Sequence, residues 1–195
     1  MPLVDNEAHY EGRYNNGNPN MTSWTAADVR TGSWQAVLSG GSGFTYGHDM
    51  IMQGYVPGVY DPDGSGPPLD WLDAIQAPGS SQMQYLKKVI QERSGSLFSR
   101  VPAQDILVGD TGTDDHHVVA TRNSAGVWVI VYTPTGKPFG INTSVLKSQN
   151  MTASWYDPLS GTYTAVSAGL GSTRTFTPPS NNSHSDWALV LESSS

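Results

Sequence analysis

The sequence predicts two architectures in series, a parallel α/β region followed by an all-β region. Three observations carry this expectation. Residues 2–97 run strand, helix, strand, helix; after Phe98 the pattern changes to short β-branched and aromatic strands punctuated by turns; and the first apolar run ends abruptly in Asn6-Glu7-Ala8-His9-Tyr10-Glu11-Gly12. A carboxylate that ends a strand in this way is how a barrel strand delivers an acid to its C-terminal mouth.

Leu3 to Asn6 reads as the first strand. Thr25, with Asp28 three residues later, forms a capping box that predicts a helix from Ala26 to Ser39. Ala27, Arg30, Trp34, Val37 and Leu38 share one face of it, and Gly40-Gly41 stops it. Phe44-Thr45-Tyr46 is the second strand, and Gly47-His48 leaves it for a long Gly/Pro-rich loop that includes residues 61–68. Long loops after barrel strands are where such folds keep their substrate contacts. The last helix follows Pro78-Gly79, with Met83, Leu86, Val89 and Ile90 as its apolar stripe, Lys87 and Lys88 on the wet side, and an end near Ser94-Gly95.

The second half reads as an antiparallel β-sandwich over residues 98–195. His117 to Arg122 and Val127 to Thr133 form a hairpin across Asn123-Ser124-Ala125-Gly126. Further strands are expected at Met151–Tyr156, Thr162–Val166, Arg174–Thr177 and Trp187–Leu191, with Asp157-Pro158-Leu159-Ser160-Gly161 as a turn. Exposed aromatics such as Trp128, Tyr156 and Tyr163 could stack on a polymer, although core packing is the plainer reading of each.

Composition narrows the function. The 195 residues include 10 Lys+Arg against 17 Asp+Glu, a formal charge of -7, which disfavours nucleic acid and anionic membrane as partners. Residues 1–97 hold ten acids and five bases, and residues 98–195 seven and five, so the acidic excess lies with the α/β half. No stretch approaches the roughly 20 apolar residues of a membrane helix, and residues 1–15 lack the pattern of a secretory signal. Cysteine is absent, which removes disulfides, thiolate nucleophiles and Cys-type zinc sites. Sequons stand at Asn20, Asn142, Asn150 and Asn181.

Asn6 to Gly12, Arg30 with Trp34, Gly40-Gly41-Ser42-Gly43-Phe44-Thr45-Tyr46-Gly47-His48, and Trp71-Leu72 followed by Pro78-Gly79 and Gln82-Met83 form a characteristic order. It resembles the C-terminal end of the apiosidase-like glycoside hydrolase barrels. In that family a (β/α)8 barrel precedes a β-sandwich labelled a putative collagen-binding domain of a collagenase, whose turn Trp155 to Gly161 resembles. The resemblance implies that residues 1–97 are the last two β/α units of a truncated TIM barrel and that residues 98–195 are the sandwich. It further implies an extracellular retaining glycoside hydrolase acting on polysaccharide side chains, inactive alone because its general acid comes from an earlier strand. The partner would be a carbohydrate polymer or glycoside, or a collagen-like polymer; the other reading is a non-catalytic binding or structural module.

Retaining glycosidases use two carboxyl groups roughly 5 Å apart, and the resemblance places the nucleophile at Glu7. Tyr10, Tyr46 and His48 fit a sugar pocket with an aromatic face and an imidazole donor. Glu11 could bond a sugar hydroxyl, or, as the plainer expectation, pair with Arg30. Trp34 and Trp71 read as packing residues.

No cofactor or metal is expected. Asp61, Asp63, Ser65 and Gly66 mimic a calcium loop, but Leu72 stands where the bidentate Glu is required. In Asp114-Asp115-His116-His117, adjacent strand residues would face opposite sides, and the group reads as a solvated turn. Gly40-Gly41-Ser42-Gly43 has Phe44 where a nucleophile elbow needs glycine. Because two parallel strands cannot close a barrel, residues 1–97 are expected to dock only loosely on the sandwich.

Overall fold

A computed structural model describes residues 3–93, 95, 99–146, 151–166, 172–179 and 185–193. The expected boundary at 97/98 and the sequons at Asn150 and Asn181 lie outside the described residues.

Strand β1 (Val4–Asp5) pairs in parallel with β2 (Gly43–Phe44), and helix α1 (Ala26–Leu38) connects them. The Thr25 hydroxyl accepts the Asp28 amide while Asp28 accepts the Thr25 amide at 2.7 Å, so the capping box forms as expected. The face of α1 differs in part: Val29 and Ser33 are buried with Arg30, Trp34, Val37 and Leu38, whereas Ala27 is exposed. The loop after β2 contains two short helices that the sequence did not predict, α2 (Asp49–Gln53) and α3 (Trp71–Ala74). Side-chain caps start both, His48 for α2 and Asp70 for α3. Helix α4 (Pro78–Gln91) buries the expected stripe and leaves Lys87 and Lys88 exposed.

The second half holds β3 (Arg100–Pro102), β4 (Leu107–Val108), β5 (Val119–Asn123), β6 (Trp128–Thr133), β7 (Phe139–Asn142), β8 (Met151–Tyr156), β9 (Tyr163–Val166), β10 (Thr173–Phe176) and β11 (Trp187–Ser193). They form a six-stranded antiparallel sheet, β3-β5-β6-β11-β8-β9, and a three-stranded sheet, β10-β7-β4. Strands β3, β4 and β7 were not predicted: the first two are only 3 and 2 residues long, and β7 carries a glycine. The β5–β6 hairpin turns through Gly126, whose φ of 71° lies in the left-handed region that glycine enters freely. His117 precedes β5 instead of belonging to it, because residues 114–116 form a 3-10 turn.

The six-stranded sheet is buried on both faces, which explains why every residue of β6 is buried. Val129, Val131, Leu189, Leu191, Ala153 and Trp155 face the small sheet and meet Phe139, Ile141 and Phe176. Trp128, Ile130, Tyr132, Ala188, Val190 and Tyr156 face the opposite way, onto Trp34, Val37, Leu38, Leu86, Val89 and Ile90. Trp128 and Tyr156 are therefore core residues, but of the helix-facing layer and not of the layer between the two sheets. Of the three aromatics singled out, Tyr163 alone is exposed, at 41%.

Loose docking of the first half is not what this packing gives. Trp34 is fully buried and stacks on Tyr132 with ring centres 5.1 Å apart. The Tyr156 hydroxyl donates to the Tyr85 carbonyl at 2.9 Å, Lys88 Nζ donates to the Gly161 carbonyl at 3.1 Å, and Arg100 caps the end of α1 through the Val37 and Gly41 carbonyls. The weakly covered part is the parallel pair itself, where Leu3 is 73% and Val4 50% exposed. Among the described residues no helix is long and apolar enough to cross a membrane.

Candidate active site

The motif that follows β1 splits into two places. Glu11 is buried, and its backbone forms an isolated parallel bridge with His48 beyond the β1–β2 pair. Its Oε2 accepts the Tyr46 hydroxyl at 2.8 Å and the Gly79 amide at 3.0 Å. The second bond satisfies an amide at the first turn of α4, which has no side-chain cap of its own. Any Cβ at Gly79 would collide with this carboxylate, so glycine is what permits the close approach. Burial and the Glu11 bond push the Tyr46 phenol well above its usual range.

The expected Glu11–Arg30 pair does not form. Arg30 instead bonds Asp186 in a bidentate manner, Nε to Oδ2 at 2.6 Å and Nη2 to Oδ1 at 2.7 Å, and reaches Gln82 Oε1 through Nη1 at 2.6 Å. Asp186 lies just before β11, far away in sequence, so nothing local signals it.

His48 is buried, and its Nδ1 accepts the Met50 amide at 3.2 Å. The neutral ring therefore carries its proton on Nε2. Burial lowers its pKa against the opposing pull of the Glu11 and Asp49 charges, which keeps the ring neutral at pH 7. The buried Glu11 and His48 and the half-buried Tyr46 thus converge into one cluster between β2 and α4.

Glu7 lies elsewhere, and Tyr10 stands between the two places, its ring packed on Gly47. Glu7 is exposed beyond the end of β1 and lines an open cavity of about 260 Å³ with Tyr10, Arg13, His9, Trp24 and Met52. Arg13 Nη1 bonds Asp49 Oδ1 at 2.8 Å, and the fully buried Asp49 also accepts Gln53 Nε2 at 2.9 Å and the Ser65 hydroxyl at 2.9 Å. The sequence reading missed Arg13, Asp49 and Ser65 as a unit, because they join segments up to 52 positions apart. It also missed Trp24, whose ring stacks on His9 at 3.9 Å with 8° between planes. Backbone bonds with Arg13 and Gly12, at 2.8 and 2.9 Å, hold Trp24 against the motif.

The arrangement sets an exposed carboxylate, a positioned cation and flat aromatic surfaces around one opening. That combination suits a hydroxyl-rich substrate: the rings offer apolar faces, while the charged groups accept and donate hydrogen bonds. Among the described residues no group of three or more His, Cys, Asp or Glu is gathered as a metal site.

Residues 1–95 match the family described as Apiosidase-like, catalytic domain, and residues 101–192 match the putative collagen-binding domain of a collagenase. Among solved structures, one described as a glycoside hydrolase is 31% identical with a TM-score of 0.90, covering 100% of this chain and 43% of its own. A glycoside hydrolase family 5 protein from Bacteroides vulgatus is also 31% identical, with a TM-score of 0.89 over 99% of this chain and 42% of its own. The chain therefore spans less than half the length of either structure. A comparison with curated proteins found no match. Residues 1–95 belong with the apiosidase-like glycoside hydrolase domains, and residues 101–192 with the collagen-binding-type domain that follows.

Proposed function

We propose that this chain is the C-terminal part of a retaining glycoside hydrolase acting on polysaccharide side chains, with Glu7 as its nucleophile. The observation that carries the reading is the position of Glu7: it follows the parallel strand β1 by two residues, is exposed, and opens into a cavity shared with Tyr10 and Arg13. Residues 1–97 then supply the last two β/α units of a (β/α)8 barrel, and residues 98–195 a sandwich that packs on their helices. The match to glycoside hydrolases more than twice as long supports this division, as does the uncovered apolar surface of β1.

In a retaining mechanism Glu7 attacks the anomeric carbon while a second carboxylic acid protonates the leaving oxygen; water then hydrolyses the glycosyl ester. The second acid belongs to an earlier barrel strand, so residues 1–195 alone do not turn over. Tyr10 borders the sugar beside Glu7. Glu11, Tyr46 and His48 act from behind, fixing the strand ends. A carbohydrate polymer or glycoside is the partner of the site, and the protein works outside the cell.

The test is hydrolysis by a chain that carries the complete barrel. Glu7→Gln should lower turnover of aryl glycosides by several orders of magnitude with folding unchanged, and retained turnover would sink the nucleophile assignment. The second reading, a non-catalytic module that grips a carbohydrate or collagen-like polymer, draws on the exposed Tyr163 ring of β9. It requires that immobilised collagen or polysaccharide retain the chain, and that Tyr163→Ala release it.

A further inference from the structure

We infer that a glycan chain runs from the Glu7 cavity across Trp24 onto the sandwich, where the turn at residues 114–116 forms a distal binding site for uncharged sugars. The inference rests on the glycosidase reading above. It is drawn from the juxtaposition of two cavities. The first, of about 260 Å³, holds Glu7, Tyr10 and Arg13; the second, of about 600 Å³, is lined by Thr31 and Gln35 of α1 and by Asp114, Asp115 and His116. His9 and Trp24 line both, so their stacked rings form the shared wall.

The second cavity is built from both halves of the molecule, and its far wall is held in place. Gln35 Nε2 donates to the carbonyls of Asp114 and His117, each at 3.0 Å, which ties the 3-10 turn to α1. Asp114 has a φ of 53°, a left-handed conformation that costs a non-glycine residue energy and persists where surrounding contacts enforce it. His117 Nδ1 lies 2.9 Å from the Gly112 carbonyl and closes the base of the turn. Trp24 is equally fixed by its backbone bonds to Gly12 and Arg13.

The chemistry of the lining selects the ligand. A volume of about 600 Å³ lies within the usual range of small-molecule sites, about 300–1,000 Å³. An indole wall beside hydroxyl, amide and carboxylate groups matches a pyranose, which has apolar faces and a hydroxyl rim. Asp28, Asp114 and Asp115 border the cavity, with His116 paired to Asp115 at 2.6 Å, so a polyuronate would meet like charge.

The test uses this chain and needs no turnover, so it is independent of the nucleophile assignment. Neutral hexasaccharides of xylose, glucose, mannose and galactose are titrated calorimetrically alongside oligogalacturonate. At least one neutral oligosaccharide should bind, and Trp24→Ala should weaken it about tenfold or more, the loss of roughly 1.4 kcal/mol. Because Trp24 is half-buried and its removal could disturb the fold, Ala27→Arg serves as a second variant. Ala27 is exposed on α1 and lines the cavity, so the longer side chain obstructs it while thermal unfolding stays unchanged. Equal affinity in both variants, no binding by any neutral hexasaccharide, or tighter binding of oligogalacturonate would overturn the inference.

Discussion

Arg30 and Asp186 form a buried, bidentate ion pair that joins helix α1 to the start of strand β11, with Tyr132 and Gln82 completing its hydrogen bonds. The pair ties the glycosidase-like half to the six-stranded sheet across 156 positions of sequence. Its strength lies in being fully partnered: removing one member leaves the other charge buried without compensation. Asp186→Ala is expected to cost about 3–5 kcal/mol in urea unfolding. The double variant Arg30→Met with Asp186→Leu should cost less than either single change summed with the other. Simple additivity would mean that the two charges are not coupled.

Glu11 offers a second stability test inside the candidate site. Glu11→Ala strips the acceptor from the Gly79 amide and the Tyr46 hydroxyl at once. Each buried donor left without a partner costs about 1–3 kcal/mol. A loss of at least about 2 kcal/mol in denaturant midpoint experiments is the expected result. If Glu11 served only as a sugar ligand, the free chain would lose little.

His48 predicts a pH dependence. Its folded pKa is lowered by burial, so as pH falls through the ordinary histidine value of 6.5 the unfolded chain takes up the proton first. Its contribution is therefore fully present above pH 6.5 and is lost as pH falls through the folded value. His48→Asn keeps an acceptor for the Met50 amide but does not titrate. The variant should unfold with a flatter stability curve below pH 6.5, measured by thermal melts at constant ionic strength.

Hydrogen exchange separates the strong part of the first half from the weak part. Amides of Trp34, Val37 and Leu38 on α1 should be as protected as those of Ile130 and Tyr132 on β6, because both sit around the same core. The amide of Thr45, just past β2, which bonds the Asp5 carbonyl at 2.9 Å, should exchange faster. That pairing opens locally, since it covers so little apolar surface. Uniformly fast exchange over α1 would restore the picture of a loosely docked half.

Local signals were legible in the sequence and distant pairings were not. The Thr25–Asp28 box, the Asn123–Gly126 hairpin and the stripe of α4 depend on neighbours within a few residues, and all three appear as expected. Strands β3 and β4 were invisible because so few residues carry no periodicity. The two-sided burial of β6 was legible only as an apolar run, without telling what would cover its second face. At the candidate site the motif residues were visible as residue types, but not their division. Glu11 turns inward to Tyr46 and Gly79 while Glu7 turns out beside Arg13 and Trp24, and those partners come from segments far along the chain.

The most direct measurement of the central claim is covalent trapping. A chain carrying the complete barrel is incubated with a panel of 2-deoxy-2-fluoro aryl glycosides, which slow the hydrolysis of a glycosyl ester, and digested for peptide mass spectrometry. The account predicts one added sugar on the peptide containing Glu7 and none in Glu7→Gln. A sugar on any other carboxylate, with Glu7 unmodified, would contradict it.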